Sequence, residues 1–358
     1  MRFPPLAPTG KRQRAGDEAL DAMTRTIRNC AFALFAFLAA ATAATADPIK
    51  LKLAFYSSDR AAPYQAAIKP FIEAVNADAK GLIEIQLYPS GVLAKDMAAQ
   101  AKLVLDGGAD LAFILPGYTP DLFPDTAVIE LPGLFRDGRE ATYVFTRLIA
   151  EKALRGYREL VVIGAYATEP ESLHGRVPIA SSLDLKGKRI RVGNADMAAA
   201  MEKFGAIPVL MQMTDIANAL SSGNIDAAII ARAPLGDFGI SRVATHHFFM
   251  TTGVAPMALV MNRRAFENLP KEAQAIILKY SGTWTAQRFA EIYAGFDRSA
   301  MARLQSDPKR QIVMPSADDA KRIDAAFKLV SNELVAGNPH YQSLLEAVDN
   351  EIQNLRQE

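Results

Sequence analysis

The sequence predicts an α/β fold arranged in two lobes, and three observations predict it. From Asp47 onward, short strand-like runs alternate with amphipathic helical stretches, which is how a mostly wound α/β chain reads. A length of 358 residues is enough for two cores at roughly 100–200 residues per domain. Half of the residues are hydrophobic and 22% are charged, so both cores can be filled and a disordered chain is ruled out by composition.

The strands come first by pattern. Residues 51–55 read as the opening strand, and 83–88, Ile-Glu-Ile-Gln-Leu-Tyr, alternates as a half-buried strand should. Further strands are expected at 111–115, 160–165, 189–192, 227–230 and 259–261, with helices at 62–78, 93–106, 140–152, 197–204 and 215–221 between them. Residues 270–304 carry apolar side chains at Ile277, Tyr280, Trp284, Phe289, Ile292, Phe296 and Leu304, with no proline after Pro270. Pro270 suits a first helical turn. Two readings stand: one rod on the order of 50 Å spanning both lobes, or two helices parted near Gly282 or Gly295.

The N-terminus reads as an export leader. Arg25 and Arg28 precede the apolar run that begins at Cys30, and small residues ending Ala44-Thr45-Ala46 resemble a cleavage site before Asp47. The run is short for a membrane span of about 20 residues. Met23 sits where such a leader normally begins, so 1–22 is a candidate mis-assigned start. The leader holds six basic residues and three acidic ones, which leaves 34 against 36 in the mature chain, a charge of −2. The single cysteine, Cys30, leaves with the leader. An exported chain without thiols relies on packing, with neither a disulfide nor a cysteine-based zinc site.

Composition excludes some functions, and motif searches exclude others. With 40 Lys and Arg against 39 Asp and Glu and no basic stripe, nucleic acid is not an expected partner. His174, His246, His247 and His340 are too scattered for a metal site by spacing. There is no serine elbow, phosphate loop or His-Glu-x-x-His. Glu169 and Glu171 read either as an acid/base pair or as a polar loop. Nothing argues for catalysis, and binding in a cleft between lobes is the expectation. The sharpest feature is Asp184-Leu-Lys-Gly-Lys-Arg-Ile-Arg-Val192, in which a turn at Gly187 feeds a strand that puts Arg189 and Arg191 on one face. That arginine face reads as a carboxylate clamp or as an exposed basic strand.

Several ordered motifs together resemble the DctP-like solute-binding proteins of tripartite ATP-independent periplasmic (TRAP) transporters. They are Tyr88-Pro-Ser-Gly-Val-Leu93, Leu131-Pro-Gly-Leu-Phe135, the stretch ending at Arg191, Phe204-Gly-Ala-Ile-Pro208, Ala219-Leu-Ser-Ser-Gly-Asn-Ile-Asp226 and Val260-Met-Asn-Arg263. The resemblance implies a two-lobe periplasmic-binding-protein fold with a mixed sheet in each lobe, hinge strands and a long helix spanning both lobes. It implies lobe I from 47–168 plus about 255–290, lobe II from 169–254 plus about 291–345, and a C-terminal tail at 346–358. It further implies that the lobes close over one small organic acid and hand it to the small and large membrane subunits of a TRAP permease; binding is expected to need no organic cofactor.

The family's carboxylate-pairing arginine falls on Arg191. A position that is often aromatic falls on Met213, which suits either an apolar ligand wall or a core. Three departures accompany the match: Ile230 stands where many members carry a ligand-contacting Asn, Arg232 where another branch carries Trp, and Glu171 where some carry a second arginine. Arg191, Arg232 and Glu171 facing one cleft would suit a carboxylate that also bears a hydroxyl, carbonyl or amine. Lobe I is expected to add Ser58, Tyr64 and Tyr118. A receptor feeding a sensor and an exported enzyme on a bilobal fold are the alternatives.

Overall fold

The computed structural model describes residues 47–357, so the leader expectation for 1–46 lies outside the described residues. Two mixed sheets organise the chain. The first joins β1 (Ile49–Ala54), β2 (Ile83–Tyr88), β3 (Leu111–Ile114), β4 (Leu160–Ala167) and β10 (Pro256–Asn262) in the order β2-β1-β3-β10-β4. The second joins β5 (Ser172–Gly175), β6 (Arg189–Val192), β7 (Ile207–Leu210), β8 (Ala227–Ile230), β9 (His246–Phe248) and β11 (Gln311–Val313) in the order β11-β9-β5-β8-β6-β7. In each sheet the wound strands are parallel, and the strands that arrive from the other lobe pair antiparallel, β10 against β3 and β4, and β5 against β8 and β9.

Helices differ from the sequence expectation where backbone chemistry intervenes. The helix expected at 62–78 contains a π-turn at Tyr64–Ile68 before the α-helix Lys69–Ala79, because Pro70 has no N–H to donate back and the preceding turn widens. The helix expected at 93–106 shortens to Ala99–Leu105. Ser90 and Gly91 adopt left-handed φ of 56° and 68°, and the Asp96 carboxylate accepts from Ala98 N–H at 2.8 Å, which holds the segment before the helix as a turn.

The stretch 270–304 divides at Gly282, whose φ of 60° and ψ of −124° favour glycine and whose N–H donates to the Ile163 carbonyl at 2.7 Å. Lys271–Lys279 is one helix and Thr283–Ser306 a second of 24 residues, which runs through Gly295 unbroken. At about 1.5 Å per residue the second is still long enough to bridge the lobes. Phe289 stacks on Tyr166 of β4 at 4.5 Å, while Leu304 enters the core of the second lobe with Ile216 and Leu220. Residues expected as a tail end the helix Pro339–Gln357, whose Leu344, Val348 and Ile352 are buried against Val144 and Leu148 of the first lobe.

The two β crossings between lobes run side by side. Thr168 N–H donates to the Ala255 carbonyl at 3.1 Å, Glu171 N–H to the Gly253 carbonyl at 2.8 Å, and Thr252 N–H returns to the Glu171 carbonyl at 2.9 Å. This short double-stranded strap is where a hinge would bend, and it carries Glu171 between the lobes.

Strand register also unites two histidines that sequence spacing keeps apart. His174 on β5 sits opposite His247 on β9, and their Nδ1 atoms lie 2.8 Å apart, sharing one hydrogen. Both rings are buried, and burial holds His174 well below the ordinary value while His247 falls to about 4, with Arg310 adding to the effect. Since the unfolded chain takes up protons near 6.5 and the folded one does not until about 4, stability is fully present above 6.5 and falls as pH drops across that window. His247 alone accounts for a loss on the order of 3 kcal/mol. The melting temperature is therefore expected to fall between pH 6.5 and 4, and to fall less in a His174→Leu/His247→Leu variant. An unchanged slope in that variant would show that other groups govern acid stability.

Candidate functional site

The site begins with one strand. On β6, Ile190 and Val192 enter the core of the second lobe, so alternation turns Arg189 and Arg191 to the opposite face. Arg189 is half-exposed and pairs with Asp226, Nη2 to Oδ1 at 3.2 Å. Arg191, near the C-terminal end of its strand where ligands of wound sheets bind, is 2% exposed. Its Nε donates to the Met211 carbonyl at 2.9 Å, Nη1 to the Ile229 carbonyl at 2.8 Å and Nη2 to the Tyr118 hydroxyl at 2.9 Å.

A guanidinium has five N–H groups, so these three bonds leave one on each terminal nitrogen, the number a bidentate carboxylate takes. Gly193 keeps the space beside it open: a Cβ there would stand 3.6 Å from Nη2. Among the described residues no carboxylate lies within ion-pair distance of Arg191. A buried positive group with no counter-ion is costly unless an anion joins it.

Two adjoining chambers lie beside it between the lobes. The apolar one has walls of Tyr56, Leu115 and Tyr293 from the first lobe side and Met213, Ile230 and Phe238 from the second. The polar one is lined by Gly117, Tyr118, Glu130, Glu171, Arg191 and Asn194. Leu115, Glu171, Met213 and Ala255 border both.

Burial pushes Glu171 up to about 7, against the pull of the Arg191 charge. Glu130 is pushed to about 8, first by burial and then by the charges of Asp196 and Glu171. Burial likewise raises the Tyr118 phenol, although Arg191 pulls it down.

The expected site residues divide accordingly. Arg191, Glu171, Met213 and Tyr118 come together on the chamber walls. Arg232 does not line either chamber; its Nε and Nη2 grip Asp297 of the long helix at 3.0 and 2.5 Å, and its guanidinium lies over Phe249 at 5.3 Å. Ser58 bonds locally to Asp59 and to Arg60 N–H, and its neighbour Ser57 takes the chamber wall instead. Tyr64 sits in the π-turn, packed against the first-lobe core and close to Phe55 at 6.4 Å.

Glu169 turns away from Glu171, accepting from Gly138 N–H at 3.0 Å at the start of the helix Gly138–Ala150. Sequence reasoning missed Glu130, Asn194, Tyr56, Tyr293 and Asp237. Asn194 alone carried a local signal, as a capping residue ahead of the helix Ala195–Lys203. Among the described residues no cluster of three or more His, Cys, Asp or Glu is placed to hold a metal ion.

Two α/β lobes, paired crossing strands and a buried guanidinium at the cleft between them define a solute-binding protein of the cleft-closing class. The chain belongs to the DctP family, bacterial extracellular solute-binding protein family 7, whose model matches residues 54–338. It is a solute receptor of the TRAP type. It is similar to the 2,3-diketo-L-gulonate-binding periplasmic protein YiaO of Escherichia coli, 25% identical over 335 residues that cover 90% of this chain and 98% of the relative.

Among solved structures it resembles a TRAP solute-binding protein from Rhodoferax ferrireducens in complex with copurified benzoate, with a TM-score of 0.80 and 22% identity over 86% of this chain and 98% of that one. It also resembles a TRAP periplasmic solute-binding protein from Bordetella bronchiseptica with bound (R)- and (S)-mandelate, with a TM-score of 0.76 and 21% identity over 86% and 100%.

Proposed function

We propose that the protein is a periplasmic receptor that binds one small organic acid, its carboxylate on Arg191 and its body in the apolar chamber, and delivers it to the small and large membrane subunits of a TRAP permease. The observation that carries this reading is the buried Arg191 guanidinium, which among the described residues has no anionic partner within ion-pair distance and keeps two N–H groups free. Tyr56, Met213, Ile230 and Tyr293 supply an apolar surface for the rest of the ligand. The ligands named for the similar proteins, diketogulonate, benzoate and mandelate, are all carboxylates. We read the cleft as a binding site without turnover, so a ligand soaked with the protein should be recovered unchanged.

A thermal-shift screen of the chain from Asp47 onward tests the proposal, because a ligand that binds only the folded state raises the melting temperature by mass action. At a hundredfold excess over Kd the gain is about 2.7 kcal/mol. Carboxylates are expected to shift the melt, and their neutral amides are not. A shift by amides or by cationic solutes alone would remove the acid assignment.

A further inference from the structure

The polar chamber holds more acid than base. Glu130 and Glu171 line it, with the charges of Glu171 and of Asp196 acting on Glu130, while Arg191 is the one cation on its walls among the described residues. Glu130 is 4% exposed. Asn194, across the cleft at the head of the helix Ala195–Lys203, donates through Nδ2 to Glu130 Oε2, and that same Asn194 caps the helix by accepting from Met197 N–H at 2.8 Å.

The other oxygen, Glu130 Oε1, is buried and has no hydrogen-bond partner among the described residues. It lies against Gly117 on the chamber wall, where a Cβ would come within 2.2 Å of it. Buried polar atoms are almost always paired, so an orphan facing a ligand chamber marks a partner that arrives with the ligand. A plain monocarboxylate would satisfy Arg191 and leave Glu130 Oε1 without a donor.

Resting on the carboxylate reading above, we propose that Glu130 and Glu171 form a second subsite for a hydrogen-bond donor, and that the receptor selects acids bearing a hydroxyl or ammonium group over the same acids without one. A site built to bond a polar group rejects the analogue lacking it, because its own buried groups then stay unpaired. Arg191 fixes one end of the ligand, and the two glutamates read the atom a few ångströms along.

Calorimetry on matched acids tests this: phenylacetate, mandelate, phenylglycine and O-methylmandelate, then propionate, lactate and alanine, with any acid found by the thermal screen added beside its deoxy analogue. The hydroxy or amino member is expected to bind at least tenfold more tightly than its deoxy and O-methyl counterparts. Glu130→Gln and Glu171→Gln should each shrink that ratio below threefold, as should Gly117→Ala, which crowds Glu130 Oε1 without touching its charge. Circular dichroism verifies that each variant folds.

The two donors separate by proton count. Binding an ammonium draws Glu130 and Glu171 into their charged forms and releases protons, which appears as a buffer-dependent enthalpy, whereas a hydroxyl does not. Equal affinity for deoxy and donor-bearing acids, a preference for the keto analogue, or an unchanged ratio in folded Glu130→Gln would each overturn the subsite. If no carboxylate binds at all, the reading of Arg191 falls instead.

Discussion

Arg191→Ala is expected to weaken carboxylate binding by about 30-fold or more, and Arg191→Lys by at least tenfold, with the fold retained in both. Closing the lobes strips water from the ligand carboxylate, and without the guanidinium that charge stays buried and unpaired at a cost of about 2–5 kcal/mol. Lysine keeps the charge and loses the geometry. Its ammonium is a point donor and cannot hold the Met211 and Ile229 carbonyls, the Tyr118 hydroxyl and a two-oxygen ligand in one plane.

The Tyr118 bond crosses between the lobes, so the same substitutions should speed ligand release by loosening closure as well as the clamp. Calorimetry gives the affinity, and a melting curve of the free protein separates loss of binding from loss of fold. Full affinity in Arg191→Lys would take Arg191 out of the clamp.

Arg232→Ala should behave in the opposite way, destabilising the protein while leaving affinity within about threefold. Asp297 is 4% exposed on the long helix and accepts from Nε and Nη2 of the Arg232 guanidinium. Removing the arginine leaves a buried carboxylate without its partner, a loss of about 3 kcal/mol once the partial exposure of the arginine is discounted. For a folded chain of more than 300 residues that corresponds to a fall in melting temperature of about 4–5 °C.

Since the pair ties the loop after β8 to the long helix, the loss falls at the contact between the second lobe and the element that spans both. Replacing the two together, Arg232→Met with Asp297→Leu, should recover much of it, because a packed apolar pair avoids the desolvation of two ions. A tenfold loss of affinity in Arg232→Ala with no change in melting would place that arginine on the ligand after all.

The strands that sequence reading found and those it missed differ in what holds them. Residues 189–192 and 227–230 are central strands of the second sheet, apolar enough to be seen by pattern. Ser172–Gly175, Ile207–Leu210, His246–Phe248 and Gln311–Val313 are three or four residues each, and pairing partners define them more than alternation does. Pro208 would argue against a strand in a central position. It is accommodated because β7 is the edge of its sheet, with no neighbour to receive the missing N–H.

The sequence by itself determined the α/β class, the two-lobe organisation and the arginine on β6, because hydrophobic alternation and turn glycines are local properties that each segment carries with it. Tertiary structure alone decided what each charged side chain meets. Arg191 and Arg232 are both arginines at the second sheet, yet one points into the cleft with no ion-pair partner among the described residues and the other is held by Asp297, 65 residues away. Glu130 carried no signal in the sequence and is set into the site only when packing buries it opposite Asn194 from the other lobe. Burial and counter-ions are non-local, set by which elements the fold brings face to face, and they decide whether a charge binds a ligand or holds the structure together.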